Sequence, residues 1–395
     1  MNTFRRLPAP IRPVPEVRAG INSRSGSDRS PTSGDKLKQW RETGAVFERA
    51  ARLAESARAG AVATVVRIEG SAYRRPGAKL LVEGSGQSSG GVSGGCLEAD
   101  VRLLARSILD GAPPRLLHYD TASGDENPFG LGLGCGGSLD VFVQSTSSPP
   151  ARDTVRRCLG LLEGGIPFAV STVLEGERAG RAVVLARGVP YGSVGDAALD
   201  RAIVGDAEEA LARGRSGCHP VADLLVFTDV LTPPPRLLIF GAGDDAIPLV
   251  RFASEAGFRV TVVDHRPALL SAGRFPDAER VEKRPEEGTG SLPLGAGTFA
   301  VVKTHGLAND REWVRLLLLS GVRYLGVLGP RDRVARVLRE AGAARDGRVY
   351  GPVGLDLGAD GPEQVAVSIV AELLAVYSGR VPLPLRERTG PIHAL

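Results

Sequence analysis

The stretch Leu237-Leu238-Ile239-Phe240-Gly241-Ala242-Gly243-Asp244-Asp245-Ala246 runs from four apolar residues into a glycine turn, and Asp264 closes the next apolar run 23 residues after Gly241. The first run reads as a buried strand, the G-x-G-x-x-A turn as the entry to a helix, and residues 259–263 as a second strand ending at an acid. Strand, turn, helix, strand and acid in that order are the fingerprint of a Rossmann-type parallel sheet. In that fingerprint Gly241 makes the tight turn and Gly243 lets the backbone approach a pyrophosphate. Ala246 lets the helix pack on the strand, and Asp264 takes a ribose hydroxyl. Asp244 and Asp245, however, put negative charge where the pyrophosphate would lie. Two readings stand: a site for NAD(P), or glycines that only build the fold.

Downstream, strands at 299–303 and 323–328 alternate with helices at 312–320, 334–341 and 362–377, which predicts an α/β, doubly wound parallel sheet. His305 follows one of these strands at the carboxyl end, where open sheets bind ligands, and reads equally well as functional or structural. Upstream, Pro233-Pro234-Pro235 stiffens the chain and marks a boundary. The expected organisation is a disordered tail over 1–34, an N-terminal α/β domain with glycine-cysteine loops over 35–232, the Rossmann-like domain over 233–380, and a C-terminal tail over 381–395. No internal repeat is evident.

In the N-terminal half, helices are expected at 37–59, 97–108, 154–162 and 207–213. Strands are expected at 61–68, 79–83, 116–119, 139–143, 168–174, 182–186 and 222–227. Two glycine loops here are richer than core packing requires. Gly90-Gly91-Val92-Ser93-Gly94-Gly95-Cys96-Leu97-Glu98 sets a thiol at a helix start, where the dipole lowers a cysteine pKa and free amides favour anions. Leu131-Gly132-Leu133-Gly134-Cys135-Gly136-Gly137 holds a second cysteine where a ligand can approach the backbone closely. Cys96 and Cys135 are the candidate nucleophiles or metal ligands, against the alternative that each is a small buried hydrophobe. Arg74, Arg75 and Lys79 surround the turn at Pro76-Gly77 and suit a phosphate, although a solvated basic turn explains them too. Cys158 and Cys218 lack such settings and read as structural.

Composition excludes several classes. With 395 residues, 43% hydrophobic and 24% charged, the chain is that of a folded protein with more than one core. The formal charge of +4 belongs to residues 1–34, which hold six Arg against Glu16 and Asp28, leaving 43 basic and 43 acidic residues beyond. A neutral body with few aromatics lacks the footprint of a nucleic-acid binder. No apolar run is long enough to span a bilayer, and no apolar segment follows Arg5 and Arg6, so no membrane association is expected and the cytoplasm is the expected site.

Taken together, these motifs resemble the XdhC/CoxI family, accessory factors that mature xanthine dehydrogenase and related molybdenum hydroxylases. The resemblance rests on the 70–79 turn, Ser93-Gly94-Gly95-Cys96-Leu97-Glu98, Leu133-Gly134-Cys135-Gly136-Gly137 and Gly241-Ala242-Gly243. It continues through Thr304-His305, Leu325-Gly326-Val327-Leu328-Gly329-Pro330-Arg331 and Gly354-Leu355-Asp356-Leu357-Gly358-Ala359. It implies a chaperone rather than a metabolic enzyme: one that binds the molybdenum cofactor, assists its sulfuration with a cysteine desulfurase, and delivers it to an apo-dehydrogenase. On that view Cys96 and Cys135 flank the metal, with Ser93, Gly94, Gly95 and Gly136 around them, and Arg74, Arg75 and Lys79 hold the pterin phosphate. Family members often carry a His after the Gly-Ala-Gly and a second His after Thr-His. Asp244 and Gly306-Leu307-Ala308 stand here instead, so no metal role carries over to this half. A homodimer is compatible with this reading. The alternatives are an NAD(P)-dependent oxidoreductase using the Rossmann half, with His305 as its one proton donor, and a nucleotide-sensing interaction protein.

Overall fold

The computed structural model describes residues 36–70, 73–95, 97–120, 137–343 and 346–389. The tail expected over 1–34, and the candidates Cys96, Cys135 and Gly136, lie outside the described residues.

The described chain opens with α1 (Lys36–Glu55), β1 (Gly60–Glu69), β2 (Lys79–Glu83), β3 (Ser88–Gly90), α2 (Glu98–Leu109), β4 (Arg115–Asp120) and β5 (Ser138–Ser145). The same succession follows at once: α3 (Pro149–Glu163), β6 (Phe168–Val173), β7 (Ala182–Ala186), β8 (Val189–Gly192), α4 (Ala197–Arg213), β9 (Gly217–Val221) and β10 (Leu224–Leu231). The first set forms an antiparallel sheet in the order β3-β2-β1-β5-β4, the second in the order β8-β7-β6-β10-β9. With β6 set against β1 the two orders are identical, so residues 36–145 and 149–231 are two copies of one architecture. This corrects the expectation of no internal repeat.

What the copies share is backbone requirement more than side-chain identity, which is why the sequence hides them. Ile68-Glu69-Gly70 and Leu174-Glu175-Gly176 end the first strands, and both glycines adopt φ +75°. Gly90 and Gly192 end the third strands at φ +89° and +87°. A Cβ there would lie 2.2 Å from the Lys79 carbonyl oxygen in one copy and 2.6 Å from that of Ala182 in the other, so both positions demand glycine.

Each sheet covers one face with its own helix. Val101, Ala105 and Ile108 of α2 pack on Ala63, Val65 and Val141, while Ile203, Ala207 and Ala210 of α4 pack on Val173, Leu185 and Val230. The other faces turn toward each other: Val66 and Phe142 meet Leu174 and Phe227, and α1 and α3 fill the remaining space with Val46, Leu53, Cys158 and Leu162. Helix α4 starts ten residues before its expected beginning at 207, because Asp196 caps it by accepting from Ala198 N and Leu199 N at 2.8 and 3.0 Å.

Beyond Pro233-Pro234-Pro235 come β11 (Arg236–Phe240), α5 (Ala246–Ala256), β12 (Arg259–Asp264), β13 (Glu279–Glu282), β14 (Phe299–Val302), α6 (Leu307–Leu319), β15 (Tyr324–Val327), α7 (Arg331–Glu340), β16 (Val349–Tyr350) and α8 (Pro362–Ser378). All six strands run parallel in the order β13-β12-β11-β14-β15-β16, the doubly wound arrangement the glycine turn predicts. Leu237, Ile239, Phe299 and Tyr324 pack against α5 and α8 on one face; Phe240, Ala300, Trp313 and Val337 form the core with α6 and α7 on the other. Leu37 of α1 is buried in the first of these cores, 2.8 Å through its Cβ from where a Cβ on Gly257 would stand, so the opening helix belongs to both halves. No helix among the described residues is long and apolar enough to cross a membrane.

Candidate functional site

A cleft of about 1690 Å³ opens where the first copy, the second copy and the C-terminal segment meet. Tyr73, Arg74 and Arg75 line it from the turn between β1 and β2, and Arg213 at the end of α4, Arg215 in the following loop and His219 on β9 line it from the second copy. Leu357, Val381, Leu383 and Leu385, all exposed, supply an apolar wall. The sequence singles out Arg74 and Arg75 of this lining. Arg213, Arg215 and His219 were missed because they become neighbours of the 73–78 turn only after the second copy folds against the first; the Arg-Gly-Arg spelling at 213–215 was their one local signal.

Arg74 is ion-paired with Glu42 of α1, whereas Lys38, Arg215 and Arg388 line the cleft with no ion pair among the described residues. Lys79 stands apart from this group. Its ammonium is buried, 2.5 Å from Asp229 on β10 and 2.9 Å from the Gly77 carbonyl oxygen, and it does not line the cleft. The expectation that it holds a phosphate is corrected: a buried ammonium already neutralised by a carboxylate has no charge to offer a ligand.

The glycine turn before α2 is held from the helix side. Glu98 accepts from Ser93 N at 2.9 Å and from Val92 N at 3.3 Å, and the Ser93 hydroxyl donates to its other oxygen. Burial alone would raise the Glu98 carboxyl; the Ser93 hydroxyl and these amides outweigh it and hold it below the usual range. Ser93 Oγ in turn accepts from Gly95 N and Leu97 N at 3.0 and 3.2 Å. Ser93 is therefore spent on the loop's own backbone. The Tyr73 ring rests against Gly94, which brings the basic turn and the glycine loop together at the cleft rim.

The candidates on the parallel sheet converge as well, at its carboxyl edge. Gly241 adopts φ +120°, and a Cβ there would lie 2.4 Å from the Lys303 carbonyl oxygen. Ala246 is fully buried where α5 packs. At Gly243 the space of a side chain is taken by Asp245 Oδ1, 2.7 Å from the Cβ position. Asp245 is itself fixed by the buried Lys303 ammonium at 2.6 Å and by His305 Nε2 at 3.2 Å. Burial would raise the Asp245 carboxyl, and the hydrogen bond and charge of Lys303, helped by His305, reverse that and lower it. Burial likewise lowers the Lys303 ammonium against the pull of Asp245. His305 adopts φ +62°, rare for a residue with a side chain. Asp244 pairs with Arg274 at 2.9 Å.

Asp264 does not wait for a ribose. One oxygen accepts from Arg266 N and Arg266 Nε, both at 2.9 Å, and the other from Ala242 N at 2.7 Å and Arg266 Nη2 at 2.8 Å. Four donors fill the acceptor capacity of a carboxylate. The residues present therefore do not fit a dinucleotide held in the usual way: the protein's own carboxylates stand in the pyrophosphate position, and the acid for the ribose is saturated. Among the described residues no group of three or more His, Cys, Asp or Glu is placed to hold a metal ion.

Comparison with known proteins agrees with this architecture. Residues 53–120 match the model of the XdhC and CoxI family, and residues 237–373 that of the XdhC Rossmann domain. A Bacillus subtilis (strain 168) protein, named as a probable subunit of xanthine dehydrogenase, is 34% identical over 328 residues, 82% of this chain and 94% of its own. The "Molybdenum cofactor insertion chaperone PaoD" of Escherichia coli (strain K12) is 24% identical over 327 residues, 81% of this chain and 84% of its own. A crystal structure of a xanthine dehydrogenase from Bacillus halodurans superposes with a TM-score of 0.71 at 31% identity, covering 85% of this chain and 96% of that one. With its parallel sheet, its glycine loops and a one-third identity sustained along most of its length, this chain belongs to the XdhC and CoxI family.

Proposed function

We propose that this protein is a maturation chaperone that carries the molybdenum cofactor as cargo in the cleft and passes it to an apo-enzyme of the xanthine dehydrogenase type. The observation that carries the reading is the convergence of Arg74 and Arg75 with Arg213 and Arg215 on one large cleft, whose lining residue Tyr73 rests on Gly94 of the glycine loop. Guanidinium groups suit the phosphate of a pterin cofactor, and the apolar wall at Leu357 and Leu383 suits its ring system. The names borne by the B. subtilis and E. coli relatives point the same way.

In this reading Arg74 exchanges Glu42 for the cargo's phosphate while Arg75 stays beside it. Cys96 and Cys135 are assigned to the molybdenum side, as thiolate neighbours or as carriers of sulfur received from a cysteine desulfurase. Lys79 drops out of the site, and Ser93 serves it through the backbone. An NAD(P)-dependent oxidoreductase fits less well, because the glycine turn and Asp264 are already filled from within.

The test is anaerobic purification from cells that make the cofactor, with molybdenum measured by mass spectrometry and pterin by fluorescence. Wild type is expected to hold both, the Arg74→Ala/Arg75→Ala variant to lose most of both, and Cys96→Ala and Cys135→Ala to lose molybdenum first. Wild type free of both would end this reading.

A further inference from the structure

The internal duplication supplies a control for the glycine loop. In the second copy the turn between β8 and α4 carries the same device: the Ser193 hydroxyl donates to Asp200 at 2.6 Å, Val194 N donates to Asp200 at 2.7 Å, and Gly195 N donates to Ser193 Oγ at 2.9 Å. Ser93 and Glu98 make a similar set in the first copy, with the amide of Val92, which precedes the serine, in place of that of Val194, which follows it. In both, a carboxylate from the first turn of the helix reaches back, holds a serine hydroxyl and a buried valine's amide, and the serine holds a glycine amide two residues on.

The copies differ in what surrounds the clamp. Around the second, Asp196 caps α4, and the side chain that lies over Gly195 is Arg181, which does not line the cleft. Around the first, Leu97 gives α2 no side-chain cap, and the Tyr73 ring, which lines the cleft, lies on Gly94. The same clamp thus holds an ordinary helix entry in one copy and, in the other, the turn on which a cleft-lining ring rests.

We propose that Ser93 and Glu98 are positioning residues for the cargo: by fixing the turn beneath Tyr73 they set the wall that carries Arg74 and Arg75, whereas Ser193 and Asp200 serve folding alone. The proposal rests on the reading of the cleft as the cofactor's cradle. Supporting groups of this kind, which touch the ligand only through other residues, typically govern affinity by about ten- to a hundredfold.

The experiment compares full-length wild type with Ser93→Ala, Ser93→Thr, Glu98→Gln, Ser193→Ala and Asp200→Asn. For each, the Kd for the pterin cofactor is measured anaerobically by fluorescence, next to the melting temperature. Ser93→Ala and Glu98→Gln should weaken binding by about tenfold or more, and Ser93→Thr, which keeps the hydroxyl, should restore it. Ser193→Ala and Asp200→Asn should lower the melting temperature comparably and leave Kd unchanged. Unchanged Kd in Ser93→Ala, or equal weakening by the second-copy variants, overturns the proposal. If Glu98→Gln does not fold, Ser93→Ala and its threonine rescue decide. If wild type binds no cofactor, the cradle reading falls, and positioning is judged by the rate at which iodoacetamide labels Cys96, read peptide by peptide. A rate that changes in Ser93→Ala but not in Ser193→Ala supports positioning; equal rates overturn it.

Discussion

The Lys79 ammonium on β2 lies 2.5 Å from the Asp229 carboxylate on β10, and this buried pair ties the first antiparallel sheet to the second. Asp229 also accepts from Gln39 at 2.8 Å and from Ser216 at 3.2 Å, so α1 and the loop after α4 are drawn to the same carboxylate. Replacing Lys79 by Met should leave that carboxylate buried without its counter-charge, at a cost of about 3–5 kcal/mol in urea unfolding. Cargo affinity per folded molecule should not change. A Lys79→Met protein that is fully stable but binds no cargo would return the residue to the site.

The duplication makes its own prediction. Gly90→Ala and Gly192→Ala each force a side chain into positive φ and against a carbonyl oxygen of the neighbouring strand. Both should destabilise, by at least about 1–3 kcal/mol, as read from denaturant midpoints. Gly84, with φ outside the positive range and 3.9 Å of clearance, should accept alanine with a smaller loss.

Asp264 should shape the acid limb of stability. Burial would raise its carboxyl, but Arg266 and the amides of Ala242 and Arg266 bring it down to about 2. A carboxylate depressed in the folded state contributes stability that is complete above its unfolded value, about 3.9, and is lost as pH falls through the folded value. Asp264→Asn should therefore cost about 2 kcal/mol near neutral pH and flatten the loss between pH 4 and 2. Urea midpoints measured across that window provide the check.

The filled glycine turn predicts indifference to nicotinamide cofactors. A ligand present at about a hundred times its Kd adds about 2.7 kcal/mol to stability. Millimolar NADH or NADPH should give no such gain in thermal unfolding; a clear upward shift in melting temperature would show that the Asp244, Asp245 and Asp264 contacts open for a ligand.

Cys158 should be chemically silent. It is fully buried on the face of α3 that packs in one core with α1, and burial pushes its thiol up to about 12. Labelling by a disulfide reagent at pH 8 should spare Cys158 in the native protein and reach it only in denaturant, as peptide mapping would show.

Much of the parallel sheet is legible locally. The alternation of apolar runs and helical stripes, punctuated by Gly241 and Gly243, announces β11, β12, β14 and β15, which are buried and so spelled out in consecutive apolar residues. The edge strands β13 and β16, exposed or half-exposed, are not announced. The antiparallel half is less open to reading. Its short outer strands β3, β8 and β9 are polar or half-exposed, and nothing in Ser88–Gly90 or Val189–Gly192 announces a strand until a neighbour pairs with it. Of the candidate site, the Arg74-Arg75 turn and the Ser93–Glu98 segment are visible in the sequence, being contiguous; the wall from Arg213 and Arg215 is not.

The sequence by itself determined the Rossmann-type sheet, the glycine turns and the family, since those depend on local periodicity and on residues whose backbone freedom is written in their identity. Only the tertiary structure decided what the charged groups do. It revealed one architecture used twice, took Lys79 out of the ligand set, filled the glycine turn with Asp245, and closed Asp264 with Arg266. The physical reason is that a side chain's charge is fixed by its identity, but its function depends on which counter-charge reaches it first, and here that partner is often far away in sequence: Asp229 for Lys79, Lys303 for Asp245.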